Sequence, residues 1–253
     1  MEPMVFAMWG GTWAVRRFDE IDSTNAYLRA EARLGAPEGT VAVADYQLAG
    51  RGRMDRRWEA PAGSSLLVSV LFRPEFDPAE LHLVTAAVAL AAAAACREVA
   101  GVGPVLKWPN DLLVGEAKLA GVLAEADFSD PAASAVVVGI GLNVDWPGPA
   151  EVGGTCLRDL SGGPVDRREL LDALLIALSS RRSLLDSAPG RRAVAAELRE
   201  RCTTLGRRVR VELAAEAVVG VATGIDDAGH LVVDTTAGRK TVSAGDVVHL
   251  RPG

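Results

Sequence analysis

The chain has 253 residues, 49% of them hydrophobic and 24% charged, with a formal net charge of −6. This balance excludes disorder for the bulk of the chain and argues against a general nucleic-acid or membrane-surface binder, whose footprint is a basic excess. Any anion site must be local, and three scattered cysteines, Cys96, Cys156 and Cys202, form neither a disulfide framework nor a zinc motif, as expected of a cytoplasmic protein.

The opening "MEPMVFAMWGGTW" has an acid at position 2 and no basic lead into an apolar run, so no secretory signal is expected. A helical pattern follows in "STNAYLRAEARL", then strand-like runs in "TVAVADYQ" (40–47) and "SLLVSVLFRP" (65–74). "PAELHLVTAAVALAAAAACREVA" (78–100) has helical character. Its apolar run, Leu83 to Cys96, is alanine-rich and falls short of the roughly 20 residues of a membrane span, so it is read as a buried helix. "VLKWPNDLLV" (105–114), "KLAGVLAEA" (118–126) and "AVVVGIGLNV" (135–144) are further strand-like runs. "DRRELLDALLIALSSRRSLLDSA" (166–188) is a helix, with Asp166 and Glu169 in a capping arrangement. "SGGPVD" and "APGRR" read as loops. Beyond Gly206, "RRVRVEL", "AVVGVATGI", "LVVDTT" and "KTVSAGDVVHL" alternate and are joined by turn signals, which predicts a small antiparallel barrel. The expectation is an α/β or α+β chain in two domains, residues 1–205 and 206–253.

Only three of the 27 basic residues are lysines, and two of them, Lys107 and Lys118, flank "WPND". Lysine is a compact point charge where arginine is a planar fork, so a position that keeps lysine against this bias fits a need such as a transferring phosphoryl group. Chance clustering on an exposed hairpin fits equally well. "GRGRMDRRW", Gly50 to Trp58, packs four arginines and two glycines into one stretch. It reads either as a solvated charged run or as a loop that closes on an anion, and Trp58 either as core or as part of that loop. "GIGLN" lacks the third glycine and the helix of a dinucleotide fingerprint; its glycines suit the close approach of a ligand or another backbone. GxxxxGK[ST], GxSxG and HExxH are absent, and His82, His230 and His249 are scattered and read as structural.

Taken together, "STNAYL", "QLAGRGRMDRRW", "KWPNDLLV", "KLAGVLAE" and "GIGLNV", in this order, resemble the biotin protein ligases from about residue 15 to the end of the chain. The resemblance implies a catalytic domain like that of class II aminoacyl-tRNA synthetases, with a mixed sheet, followed by an SH3-like barrel. It implies that biotin and ATP give biotinyl-5'-AMP, and that the biotinyl group passes to a lysine of the biotin carboxyl carrier domain of acetyl-CoA or another acyl-CoA carboxylase. Carried over position by position, Ser23, Thr24 and Gln47 would hydrogen-bond the biotin head, and Asn25 belongs to the implied binding set. Gly50, Arg51, Gly52 and Arg53 match the loop that orders over the adenylate, and Lys118 matches the lysine that touches the biotin carboxylate and the α-phosphate; Arg51, Arg53 and Lys118 are thus the implied catalytic set. Trp58 would lie near the adenine. Lys107, Asn110, Asp111 and Asn143 would line the nucleotide and metal region, with Asp111 as the magnesium ligand. Gly121, Gly139, Gly141 and Arg167 complete the implied binding set.

The family loop reads GRGRxGRxW, but here its third glycine is Asp55, which puts loop closure in question. With no helix-turn-helix ahead of the first motif, no DNA binding is expected, and no membrane; a monomer or weak homodimer is. A lipoate or octanoate ligase on the same fold and a non-catalytic carrier-binding module are the alternatives.

Overall fold

The computed structural model describes residues 4–8, 11–127, 135–213, 216–243 and 245–250. The strands Met4–Met8 (β1) and Gly11–Ile21 (β2) form a hairpin, followed by the helix Thr24–Arg33 (α1) and the strands Thr40–Gln47 (β3) and Ser65–Phe72 (β4). After the helix His82–Ala100 (α2) come Val105–Lys107 (β5), Asp111–Val114 (β6), Ala117–Asp127 (β7) and Ala135–Asn143 (β8). Three helices then follow, Leu157–Ser161 (α3), Arg167–Leu185 (α4) and Ala188–Arg201 (α5). The eight strands form one sheet in the order β1-β2-β3-β4-β8-β7-β6-β5. It is mixed because α1 carries the chain across from β2 to a parallel β3, whereas every other pairing is antiparallel.

Strand alternation divides the central residues between two faces. Val68, Val70, Val136, Val138 and Ile140 join the large core that includes α2 and α4, while Leu71, Ala135 and Val137 pack under Leu28 and Ala32 of α1. The register continues this second face past the end of α1's apolar cover. Ser69 stands opposite Gly139, which stands opposite Leu123; Leu67 stands opposite Gly141, then Gly121, then Asp111. The sheet floor thus changes from aliphatic to small and polar, and the site lies there.

The segment Pro78–Ala100 is in fact long and apolar enough to cross a bilayer, so the sequence argument from length does not hold. Packing is what identifies it as core: Leu83 to Ala93 is buried without interruption, as expected of a helix apolar on all sides within a protein. "APGRR" is also not a loop but the first turn of α5. Ser187 caps it, its Oγ accepting from the Gly190 amide at 3.2 Å. Proline is tolerated in a first turn because its missing N–H has no helical partner there, and a Cβ at Gly190 would sit 2.1 Å from the Leu184 carbonyl oxygen. Asp166 caps α4 as expected, accepting from the Arg168 amide at 2.7 Å.

The last run of the sequence is divided as well. Five strands, Arg208–Glu212 (β9), Ala217–Ile225 (β10), Leu231–Thr235 (β11), Gly238–Val242 (β12) and Asp246–His249 (β13), form an antiparallel sheet in the order β12-β11-β10-β9-β13. Trp108, fully buried, ties this sheet to the β5–β6 turn: its amide donates to Thr204 Oγ1 and its indole Nε1 to the Gly229 carbonyl, both at 3.0 Å.

Trp13 of β2, with zero exposure, donates its Nε1 to Ser179 Oγ of α4 at 2.9 Å. Trp13→Ala is expected to cost about 3–5 kcal/mol, through the cavity left and the lost partner of Ser179. A lowered urea midpoint at an unchanged slope is the measurement that checks it.

Candidate functional site

A cavity of about 590 Å³ lies on the glycine-bearing part of the floor, between the α1 N-terminus, the stretch 51–59 and the segment 147–152. At one end its walls are polar and neutral. Ser23 caps α1, its Oγ accepting from the Ala26 amide at 3.4 Å. Gln47 Oε1 accepts from the Thr24 amide at 2.8 Å and from Thr24 Oγ1 at 3.0 Å, which leaves Gln47 Nε2 as a donor. Ser69 Oγ lies 2.6 Å from Asn25 Oδ1 and 2.7 Å from Thr24 Oγ1, and Asn25 Nδ2 donates to the Leu123 carbonyl at 3.2 Å. A Cβ at Gly139 would stand 2.2 Å from Asn25 Oδ1, so glycine is required where the amide reaches the floor.

The other end is charged. Lys118 Nζ pairs with Asp111 Oδ1 at 2.7 Å and lies 5.8 Å from the centre of the Trp58 ring. Arg53 donates to Asn110 Oδ1 at 3.1 Å and to the Gly245 carbonyl at 2.9 Å, and Asn110 Nδ2 donates to the Val122 carbonyl at 2.8 Å. Burial lowers the Arg53 pKa from its ordinary value, opposed by the nearby Asp246 and Asp111; a guanidinium so placed stays cationic at neutral pH. Trp58 is neither core nor free in solvent. Its indole lies on the strand floor, where a Cβ at Gly141 would come within 2.2 Å of its Cε2, and its Nε1 is buried with no hydrogen-bond partner. The floor glycines therefore make room for two side chains, Asn25 and Trp58, and not for a second backbone.

The arginine-rich stretch is a small hairpin. Arg51 bridges Arg57, the Gly52 amide donates to the Arg56 carbonyl at 2.7 Å, and the Trp58 amide donates to the Gly50 carbonyl at 3.1 Å. Its tip is Arg53-Met54-Asp55-Arg56, closed by the Arg56 amide on the Arg53 carbonyl at 3.2 Å, with φ of 54° at Met54 and 57° at Asp55. Two positive φ values in sequence are the pattern of a type I′ turn, which favours Asn-Gly. Aspartate tolerates the left-handed region better than most residues, so the hairpin closes despite the missing glycine, at a cost of about 1 kcal/mol for that position. Asp55→Gly is accordingly expected to make the hairpin more resistant to proteolysis at Arg53–Arg57 by a few-fold; unchanged cleavage rates would show that the turn carries no strain.

The cavity lining brings together Ser23, Thr24, Asn25, Gln47, Arg51, Gly52, Arg53, Trp58, Asn110, Asp111, Lys118, Gly121, Gly139, Gly141 and Asn143. Gly50 lies beside it, where a Cβ would meet the Trp58 carbonyl oxygen at 2.3 Å. Asn143 has a scaffold role, donating from Nδ2 to the Pro147 and Thr155 carbonyls at 3.1 and 3.0 Å and so holding the segment that walls the cavity. Two expected members lie elsewhere. Lys107 is on the edge strand β5, one strand beyond Asp111; burial, with the charges of Lys107 and Arg207, lowers the His249 imidazole to about 4. Arg167 turns to Asp45 at 2.7 Å and to the Ser65 carbonyl at 3.4 Å. Residues the sequence did not single out include Asp246, Glu151 and Val152 in the cavity wall, and Glu125, which accepts from Asn25, Arg29 and Arg51. Among the described residues, no group of three or more His, Cys, Asp or Glu side chains is arranged to hold a metal ion.

Comparison with known proteins gives concordant matches. The family model described as the biotin/lipoate A/B protein ligase family matches residues 18–143, and that of the biotin protein ligase C-terminal domain matches residues 204–250. The chain is 41% identical over 236 residues to the biotin–acetyl-CoA-carboxylase ligase of Mycobacterium tuberculosis, a match covering 90% of this chain and 86% of that protein. It is 37% identical over 240 residues to the protein of the same name from Paracoccus denitrificans, covering 89% and 96%. Among solved structures, the biotin protein ligase from Aquifex aeolicus in complex with biotin and ATP aligns with a TM-score of 0.80 at 28% identity, over 94% of this chain and 99% of that one.

Proposed function

The chain belongs to the biotin/lipoate A/B protein ligase family, and we propose that it is a biotin ligase, activating biotin with ATP and passing it to a lysine of a biotin carboxyl carrier domain. The observation that carries this is one cavity with two unlike ends, neutral hydrogen-bonding groups around Thr24 and Gln47 and cations at Lys118 and Arg53. The neutral end suits the ureido ring, a buried group that is costly without partners. The charged end suits the place where a carboxylate meets a phosphate. There the carboxylate oxygen of biotin attacks the α-phosphorus, the new P–O bond gives biotinyl-5'-AMP, and the bond to pyrophosphate breaks. Two anions are driven together in that step, and Lys118 with Arg53 offsets their repulsion as charge builds.

In the second step a neutral lysine amine attacks the acyl carbon, an amide forms and AMP leaves. The task of the protein is then to hold a reactive mixed anhydride beside the amine and away from water, and we assign that to the hairpin 50–58. Trp58 offers a ring face to the adenine. Beside Lys118 the charged end carries Asp111 with the amides Asn110 and Asn143, and Asp246 and Glu151 stand separately in the wall. That donor set fits magnesium arriving on the nucleotide's phosphates rather than a resident ion, and the ion when bound would neutralise the pyrophosphate leaving group. We further assign the protein to the cytoplasm, as a monomer or weak homodimer without DNA or membrane partners, on its net charge of −6 and its three buried free thiols.

Incubation with biotin, MgATP and an acceptor carrier domain should give a streptavidin-reactive product. Failure with several acceptor domains, or a larger melting shift with lipoate than with biotin, would overturn the assignment.

A further inference from the structure

The chemistry above makes no use of Glu125, the residue that closes "KLAGVLAE". It stands on β7 opposite Val137, on the floor face that carries the cavity. Its carboxylate collects donors from three places: Oε2 accepts from Asn25 Nδ2 at 2.9 Å and from Arg51 at 3.0 Å, while Oε1 accepts from Arg29 at 3.0 Å. Two of those partners belong to α1, and Asn25 is itself fixed at its other end by Ser69 and by the space that Gly139 leaves. Glu125 is therefore set rigidly in the floor. Arg51 differs in being carried by the hairpin, and among the described residues its side chain makes no other hydrogen bond.

One carboxylate between two guanidinium groups leaves a net positive charge, so Arg51 is held without being neutralised. Without the carboxylate, Arg29 and Arg51 would repel each other. The pair is also partly exposed, with side-chain exposures of 39% for Arg51 and 19% for Glu125. Pairs of this kind are individually weak, which suits a contact that must release on every turnover.

We propose that Glu125 is a positioning residue that sets the closed position of the hairpin by holding Arg51, and through Asn25 joins that position to the biotin end of the cavity. This rests on the biotin-adenylating function stated above. Glu125→Ala should let the hairpin open more often, so that the nucleotide is held less well and the adenylate escapes before transfer. The chemical step, once the hairpin is closed, should change less.

The test uses the full chain and compares wild type, E125A, E125Q, E125D, R51A and R51A/E125A for pyrophosphate release and for loss of biotinyl-5'-AMP in the absence of acceptor. E125A is expected to raise the KM for ATP and the escape rate by about tenfold each, with kcat changed by less than about threefold and partial recovery in E125D. R51A/E125A is expected to be no worse than R51A alone, since both substitutions remove one interaction. Effects that multiply in the double variant, or an E125A indistinguishable from wild type, would overturn the proposal. Should E125A fail to fold, E125Q carries the same comparison with volume preserved. If wild type forms no biotinyl-5'-AMP, the functional assignment itself fails; if it does and the double variant is multiplicative, only the role of Glu125 falls.

Discussion

Lys118→Ala is expected to reduce pyrophosphate release from biotin and MgATP by at least about a hundredfold, the scale on which one preorganised electrostatic group acts. The geometry gives two reasons. Nζ sits at the charged end of the cavity, 2.7 Å from Asp111 Oδ1. In the proposed reaction its loss removes a cation from the point where two anions meet, and it also leaves the Asp111 carboxylate without its counter-ion. Lys118→Arg is not expected to rescue. The ammonium group folds over Gly121, where a Cβ would already lie 3.2 Å from Nζ, and a planar guanidinium needs more room than that. Stability should be nearly unaffected, because a partly exposed ion pair contributes about 0–1 kcal/mol. A folded Lys118→Ala protein that still releases pyrophosphate at the wild-type rate would remove this lysine from the chemistry.

The second large effect separates the two ends of the cavity by substitutions two residues apart. Gly141→Ala places a Cβ 2.2 Å from Trp58 Cε2 and 2.5 Å from its Nε1, so the indole must leave its seat. The KM for ATP is expected to rise by about ten- to a hundredfold, while biotin still raises the melting temperature, because displacement by an ångström is enough to spoil an aligned site. Gly139→Ala places a Cβ 2.2 Å from Asn25 Oδ1 and 3.1 Å from Ser69 Oγ. There the melting shift from biotin should be the one lost. If both variants lost the same substrate, the division into a neutral and a charged end would be wrong.

Much of this was legible in the sequence, and what was not has physical causes. The strands and long helices announced themselves by periodicity, and the lysines, the arginine-rich stretch and the paired glycines were visible as departures from the composition around them. Which of them meet is a property of sheet order. Lys107 and Lys118 look equivalent on either side of "WPND", yet the β5–β6–β7 meander turns one towards the cavity and leaves the other on the edge strand. Glu125 was hidden because its partner Arg51 is 74 positions away, and only the folding of the hairpin after β3 across the floor that β7 helps to form brings them together. Asp55 raised a concern about the loop that glycine preference alone could not resolve; the backbone shows that the turn forms with an aspartate in the left-handed region. "APGRR" was misjudged because proline and glycine serve a first helical turn as readily as a loop, and the deciding signal was the serine just before them.

The reach of Arg53 to the Gly245 carbonyl and of Arg56 to Asp246 has a practical side for anyone wishing to divide this protein into complementing fragments. A cut near residue 205 would leave every floor residue on the first piece, with Glu125 and Asn110 still holding Arg51 and Arg53, while the contacts of the hairpin to Gly245 and Asp246 would depart with the second. Reassembly of such halves would then report on catalytic recovery rather than mere proximity, since the tip of the hairpin regains its full set of contacts only when the small sheet returns.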